Sequence, residues 1–273
     1  MRSDIAGLHR IFRVAGITAF LLAAGGVHAQ APAPGMKPPA AAVSTESQAQ
    51  AKAILMKMAD FLAATQKFSV SVHGSYDAVQ ASGQKIEFGE ARKVSLSRPD
   101  RLRLEGESSD GAKTLTVFNG KEIMLVDAGL NVYATAPQPG GLDDTIVHFV
   151  RDLGMRLPLA MLLLSQLPAE LEGRVKAVDY VEMTSIHGVP SHHLAARTDT
   201  VDFQIWVADG DKPLPQRVVI TYKQAAGESQ FRAQFSDWNL APAISDATFQ
   251  ARPPAGAQKI AFAAQLSHLS PTD

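Results

Sequence analysis

The stretch RLPLAMLLLSQLP (residues 156–168) is apolar almost all round, yet it lies in the middle of an otherwise mixed chain. Pro158 suits the first turn of a helix and Pro168 stands where that helix must end. A helix over residues 158–167 spans about 15 Å, half of a ~30 Å bilayer core. It is too short to cross a membrane, and a helix with Leu159, Met161, Leu162, Leu163, Leu164 and Leu167 around its girth is buried on more than one side. One reading is plain core, worth roughly 1.5–3 kcal/mol per buried leucine. The other is a cover over an apolar hollow. Gly140, Gly141, Gly154 and Gly173 offer hinges for such a cover, and Met155, Met161 and Met183 supply adaptable apolar surface.

Working outward, the preceding PQPGGLDDTIVHFVRDLG carries a helical stripe of Ile146, Phe149, Val150 and Leu153. Asp143 is the expected N-cap of this helix and Gly154 its stop. Upstream the period is two. Phe68, Val70, Val72 and Tyr76 alternate with Ser69, Ser71, His73 and Ser75, and five more short runs follow, separated by turn signals such as Ser82-Gly83, Asp110-Gly111 and Asn119-Gly120. Five further alternating runs follow the apolar stretch, from Arg174 to Leu240. Residues 44–65 place Ala51, Ile54, Leu55, Met58, Phe61 and Leu62 on one helical stripe. Helix, about six strands, two helices, about five strands is an α+β order, an antiparallel sheet interrupted once by helices.

The chain has 273 residues. Arg2, Arg10 and Arg13 precede an apolar run from Val14 to Val27, and Val27-His28-Ala29 ends it with small residues at both positions a signal peptidase reads. Residues 1–29 therefore read as a secretory signal peptide and place the mature protein in the periplasm, across the inner membrane of a Gram-negative bacterium. Residues 30–43 are a Pro/Ala-rich disordered linker, residues 44–262 one domain, and residues 263–273 a tail. Cysteine is absent, which removes thiol chemistry and thiolate metal sites. The formal charge of −1 becomes about −3 once the leader is removed, and with no basic patch nucleic acid is excluded as a partner.

Little chemistry is encoded. His192 and His193 are adjacent on a strand and so face opposite ways, leaving His187 with one partner at most. Asp143-Asp144 is explained by helix capping. Asp209 and Asp211 around Gly210 lack the further oxygens of a calcium loop. No nucleophile elbow, zinc helix or phosphate loop is present. The expectation is a protein with no catalytic residues, cofactor or metal. Trp206 falls out of phase with Phe203, Ile205 and Val207, so it is expected on the other face of its strand. Both Trp206 and Trp238 are read as packing residues under a terminal helix or loop.

FQIWVADGDKPLPQRVVITYK, with Trp206, Gly210, Asp211, Pro213, Leu214 and Pro215, and FSDWNLAPAISDATFQARPPAGAQKI resemble an uncharacterised family of predicted periplasmic proteins. That family is grouped with the outer-membrane lipoprotein carrier LolA. The resemblance covers residues 48–262. It implies a LolA-like unclosed antiparallel β-barrel of about 11 strands, with an N-terminal helix and a two-helix lid insertion over a hydrophobic cavity. It also implies an arginine inside the barrel that holds the lid. Arg92, Arg101, Arg103, Arg217 and Arg232 all read as lying in polar strand phases, so none matches.

The expected function is binding or carrying a hydrophobic ligand, a lipid or acyl chain, compatible with transient membrane contact. Val70, Val72, Leu102, Leu104, Leu115, Val117, Ile123 and Leu125 are expected to line or back the cavity, and Phe149, Leu159, Leu162 and Leu163 to close it. The alternative is an envelope sensor that uses the same fold to bind a protein partner through exposed strand edges and the KPLPQ loop.

Overall fold

The computed structural model describes residues 45–153 and 157–262. The expected signal peptide, linker and C-terminal tail lie outside the described residues, as do Gly154, Met155 and Arg156.

Helix α1 (Thr45–Ala64) buries Ala51, Leu55, Met58, Ala59 and Leu62, a stripe at helical spacing. Strands β1 (Lys67–Val79), β2 (Lys85–Ser97), β3 (Arg101–Ser108), β4 (Lys113–Phe118), β5 (Glu122–Asp127) and β6 (Val132–Pro137) form the first meander. Helix α2 (Leu142–Val147) and then α3 (Leu167–Arg174) interrupt it. Strands β7 (Ala177–Ile186), β8 (Val189–Arg197), β9 (Val201–Ala208), β10 (Pro215–Tyr222) and β11 (Gln230–Asn239) form the second meander. A two-residue strand β12 (Gln258–Lys259), which alternation does not reveal, adds to β6 in parallel.

All twelve strands join one sheet in the order β12-β6-β5-β4-β3-β2-β1-β11-β10-β9-β8-β7. Its edges, β7 and β12, are not paired with each other, so the sheet is unclosed, as expected. The two meanders meet where β1 pairs with β11, with Val72 opposite Phe235 and Tyr76 opposite Phe231. Asp77 fixes that seam near one end: its carboxylate accepts from Arg232 Nη1 at 2.8 Å and from the Gln230 amide at 3.0 Å.

Register assigns the faces. Phe68, Val70 and Val72 share a face with Val94 and Leu96 of β2 and Leu102 and Leu104 of β3. The same face continues through Thr116 and Phe118, then Ile123 and Leu125, then Ala134 and Ala136. On the other side of β1 it continues through Phe235, Ala233 and Val218 to Ile205 and Leu194. This inner face carries the helices: α1 packs on β7, β8 and β9 and on α3, and their apolar residues make one core. No described helix is long and apolar enough to cross a membrane.

The insertion departs from the sequence reading. The helix expected over 158–167 is a single 3-10 turn, Ala160–Leu163, preceded by Leu159 at φ +67°. A left-handed residue at its start and an extended Leu164 at its end stop it on both sides. Pro168 begins α3 instead of ending a helix, which is where its fixed φ and missing N–H are tolerated. Gly173 lies inside α3 and is no hinge. The preceding helix is α-helical only to Val147 and continues as a π-helical turn, His148–Asp152.

Arg232 holds the Asp77 carboxyl below the usual carboxylate range, helped by the Gln230 amide. A depressed carboxyl contributes stability that is present above its unfolded pKa of about 3.9 and is lost as pH falls through the lower folded value. Asp77→Asn should therefore lower stability at pH 7, by about 1–3 kcal/mol. The gap to the unsubstituted protein should shrink at pH 3. Urea unfolding at both pH values checks this, and an equal gap at both refutes it.

Candidate functional site

The inner face carries the buried core and is open beside Leu157. Val70, Val72, Leu102 and Ile123 are buried in the core. Leu163 is buried with them, and Leu159 and Leu162 are partly buried against the same core. Among the described clefts none is lined by residues 159–164. Residues 159–164 of the leucine-rich stretch pack on the core beside α1, and Leu157 and Pro158 of the same stretch border open space.

The open space lies beside its entry. A cleft of about 940 Å³ is bounded by Leu157 and Pro158, by Tyr76 of β1 and by Tyr222 and Phe231 of β10 and β11. A smaller cleft of about 210 Å³ runs beneath Phe149 and Leu157 over Leu104, Thr116 and Leu125. Glu90, Arg92 and Leu157 line both, so they stand at the boundary between the two.

Two of the expected lining residues are elsewhere. Leu115 pairs with Glu105 and Val126, and Val117 with Arg103 and Met124, which puts both on the opposite face. Alternation alone left their face undetermined, because β4 reads Leu-Thr-Val-Phe with apolar residues in both phases. Leu115 lines a groove of about 460 Å³ there, with His73, Lys93 and Arg103. Val117 is buried on that face, where the turn Asp246–Phe249 crosses β3 and its Thr248 carbonyl accepts from Arg103.

A buried arginine outside the strands, Arg98, stands in the turn after β2. Its side chain is 7% exposed. Nε donates to the carbonyl of Thr65 at 3.2 Å, just past the end of α1, and Nη2 to the carbonyl of Leu163 at 3.0 Å. Nη1 lies 3.8 Å from Asp143 of α2. A cation suits the carbonyl end of a helix. Burial pulls the guanidinium pKa down and Asp143 opposes that, but an arginine remains charged. Asp143 is no N-cap. Gly141 holds that position, and the Asp143 carboxylate instead accepts from the amide and hydroxyl of Ser165, at 3.0 and 2.6 Å. The signal for Arg98 was present: it continues the inner phase of Val94 and Leu96 by one more step of two.

Arg92 also needs correction. It pairs with Val72 and Gly106 in register and so shares the inner face, while Arg101, Arg103, Arg217 and Arg232 stand on the other. Arg92 Nη2 is 2.8 Å from Glu90 Oε2, and the side chains are 25% and 14% exposed.

His192 and His193 do face opposite ways. His193 Nε2 lies 3.0 Å from Gln204 Oε1, and its ring stacks on Trp206 at 4.0 Å, while the Arg217 guanidinium lies over the Trp206 ring, 5.2 Å from its centroid. His192 lies 3.1 Å from Asp209. Among the described residues no group of three or more His, Cys, Asp or Glu could hold a metal. Trp206 is thus on the outer face, as its phase implied, but held by side chains of neighbouring strands. Trp238 packs on Phe68 and Phe235 and donates to the Pro215 carbonyl at 3.0 Å.

Among solved structures the chain is similar to LprF from Mycobacterium bovis, at 14% identity and TM-score 0.47, over 72% of this chain and 95% of that one. It is similar to the LolA superfamily protein NE2245 from Nitrosomonas europaea, at 13% identity and TM-score 0.35, over 74% and 97%. It is also similar to the MucA/MucB complex structure of Pseudomonas aeruginosa, at 17% and TM-score 0.39, over 74% and 61%. At TM-scores below 0.5 these likenesses carry no weight for function. No curated protein matches the chain. Residues 51–263 match the family described as predicted periplasmic protein (DUF2092), and the chain belongs to that family of periplasmic proteins.

Proposed function

We propose that the protein binds and carries an apolar ligand, a lipid or acyl chain, in the periplasm, and does so without catalysis. The observation that supports this is the cleft of about 940 Å³ on the helix-bearing face, walled by Tyr76, Leu157, Pro158, Tyr222 and Phe231. Ligand pockets run to about 300–1,000 Å³ and are mostly apolar with a few placed polar groups. The ligand's place is therefore the open end of the sheet and the adjoining space under Phe149.

Exchange follows from the energetics. Burying about 12 methylenes yields ~10 kcal/mol gross at ~0.8 each. Lost translational and rotational freedom takes back about 4–15 kcal/mol, so the net affinity is modest and release is feasible. Widening the cleft moves the Leu157–Leu164 segment off the sheet, at the cost of the Arg98 bond to Leu163 and the Ser165 bonds to Asp143. A ligand that fills the space offsets that cost by its contacts.

A second reading has its own support. On the β1–β2 hairpin Tyr76 and Phe88 stack at 5.8 Å and are 43% and 40% exposed, with Ile86 exposed beside them. The edge strand β7 exposes Val181 and Met183. Exposed apolar surface of this kind suits a protein partner.

Protein purified from the periplasm and examined by native mass spectrometry with lipid extraction is expected to carry acyl species. An empty protein with a stoichiometric protein partner overturns the carrier reading in favour of the second. Leu157→Arg removes a leucine's worth of contact, roughly 1.5–3 kcal/mol, and should lower ligand retention tenfold or more while leaving the fold intact by circular dichroism.

Arg98→Met should cost about 1–3 kcal/mol of stability through the partners it strands. Hydrogen exchange at the Leu162 and Leu164 amides should speed up, with β9 and β10 unaffected. Uniform acceleration across the chain would contradict a local fastening role.

A further inference from the structure

Glu90 and Arg92 form the one feature of the inner cleft that packing does not require. They lie two apart on β2 and therefore on the same face, with Gly74 and Val72 opposite them on β1 and Ser108 and Gly106 opposite them on β3. Taking an ion pair mostly out of water costs more than an apolar pair of the same size. Arg92 has five donors, and among the described residues its one hydrogen bond is to Glu90 Oε2, at 2.8 Å.

The strands beside the pair carry glycines opposite it, Gly74 on β1 and Gly106 on β3. A Cβ at Gly74 meets Glu90 Cγ and Phe231 Cζ at 3.3 Å, and a Cβ at Gly106 comes within 2.7 Å of Thr114 Oγ1. Neither glycine has a positive φ. What they supply is the missing side chain: Glu90 packs where a side chain at position 74 would stand, and Thr114 where one at position 106 would. At this point of the inner face the charge is balanced: Glu90 is matched by Arg92. A purely anionic head group brings its charge up to the Glu90 carboxylate, and a purely cationic one meets the guanidinium. A group carrying both signs satisfies each partner and leaves the balance unchanged.

We propose that the cleft recognises the head group of its ligand, an amphiphile with a zwitterionic head whose phosphate sits on Arg92 and whose ammonium sits on Glu90. The proposal rests on the binding reading above and names the class of ligand. The chains then lie along Tyr76, Leu157, Tyr222 and Phe231. The Glu90–Arg92 bond is exchanged for two charge-assisted bonds to the ligand, each stronger than a neutral one.

The test uses the full folded protein, stripped of lipid, and three probes with identical chains: didecanoyl phosphatidylethanolamine, didecanoyl phosphatidylglycerol and didecanoylglycerol. Competition read by native mass spectrometry should favour the zwitterion by about tenfold, the scale of one charge-assisted hydrogen bond. Glu90→Gln should move the preference toward phosphatidylglycerol. Arg92→Gln should lower both phospholipids by about tenfold while sparing didecanoylglycerol. A changed preference in one variant and a loss confined to the phospholipids in the other are not produced by a general loss of folding. Equal affinity for the three probes, a preference of the unsubstituted protein for the anionic probe, or variants that weaken all three alike overturn the head-group proposal and leave the binding reading standing. Failure of every probe to bind overturns both.

Discussion

One buried guanidinium holds together parts of the protein that the sheet does not join. Arg98 reaches the carbonyl just past the end of α1, the carbonyl of Leu163 in the 3-10 turn and the carboxylate of Asp143 in α2. The adjacent Pro99 carbonyl accepts from the Leu142 amide, so the β2–β3 turn receives the start of α2 as well. Each carbonyl it takes belongs to a segment end, where backbone groups have no ladder partner. With these acceptors satisfied, the leucine-rich segment can lie flat on the core without leaving buried polar groups unpaired.

That fastening decides where space remains. Residues 159–164 are drawn onto the core, with Leu163 buried in it and Leu159, Met161, Leu162 and Leu164 partly buried against it. Open space lies at the segment's entry, where Pro158 and the left-handed Leu159 turn the chain and Leu157 borders the cleft with residues of the central strands. The same end of the inner face carries a balanced ion pair and two glycines. An apolar wall of Tyr76, Leu157, Tyr222 and Phe231 beside charged and amide side chains such as Glu90, Arg92 and Gln224 is the chemistry of an amphiphile site.

The meanders were legible because period-two alternation with turn residues between runs leaves few other arrangements, and every one of the first eleven strands falls where alternation puts it. The seam between β1 and β11 was not readable: pairing of strands more than 150 residues apart follows from packing, with no local signal. The insertion was misread for a related reason. A run of leucines between prolines scores as helix by composition, but composition does not report the φ of Leu159 or the extended Leu164 that end the turn. Leu115 and Val117 went to the wrong face because β4 is apolar in both phases, which removes the contrast that register arguments need. Arg92 was set aside as polar although its spacing from Val94 and Leu96 already placed it inward.

What the sequence determined by itself is the α+β order, the antiparallel pairing within each meander, the outward phase of Trp206, the split of His192 from His193 and the membership in a periplasmic family. These depend on side-chain alternation and on motifs, which are local. Tertiary structure alone decided that Arg98 fastens the leucine-rich segment, that residues 159–164 of it pack on the core, and that Glu90, Arg92 and Leu157 meet at the boundary of the cleft. Those contacts join residues from separate strands and from the insertion, and their distances are set by how the whole sheet and its helices fill space.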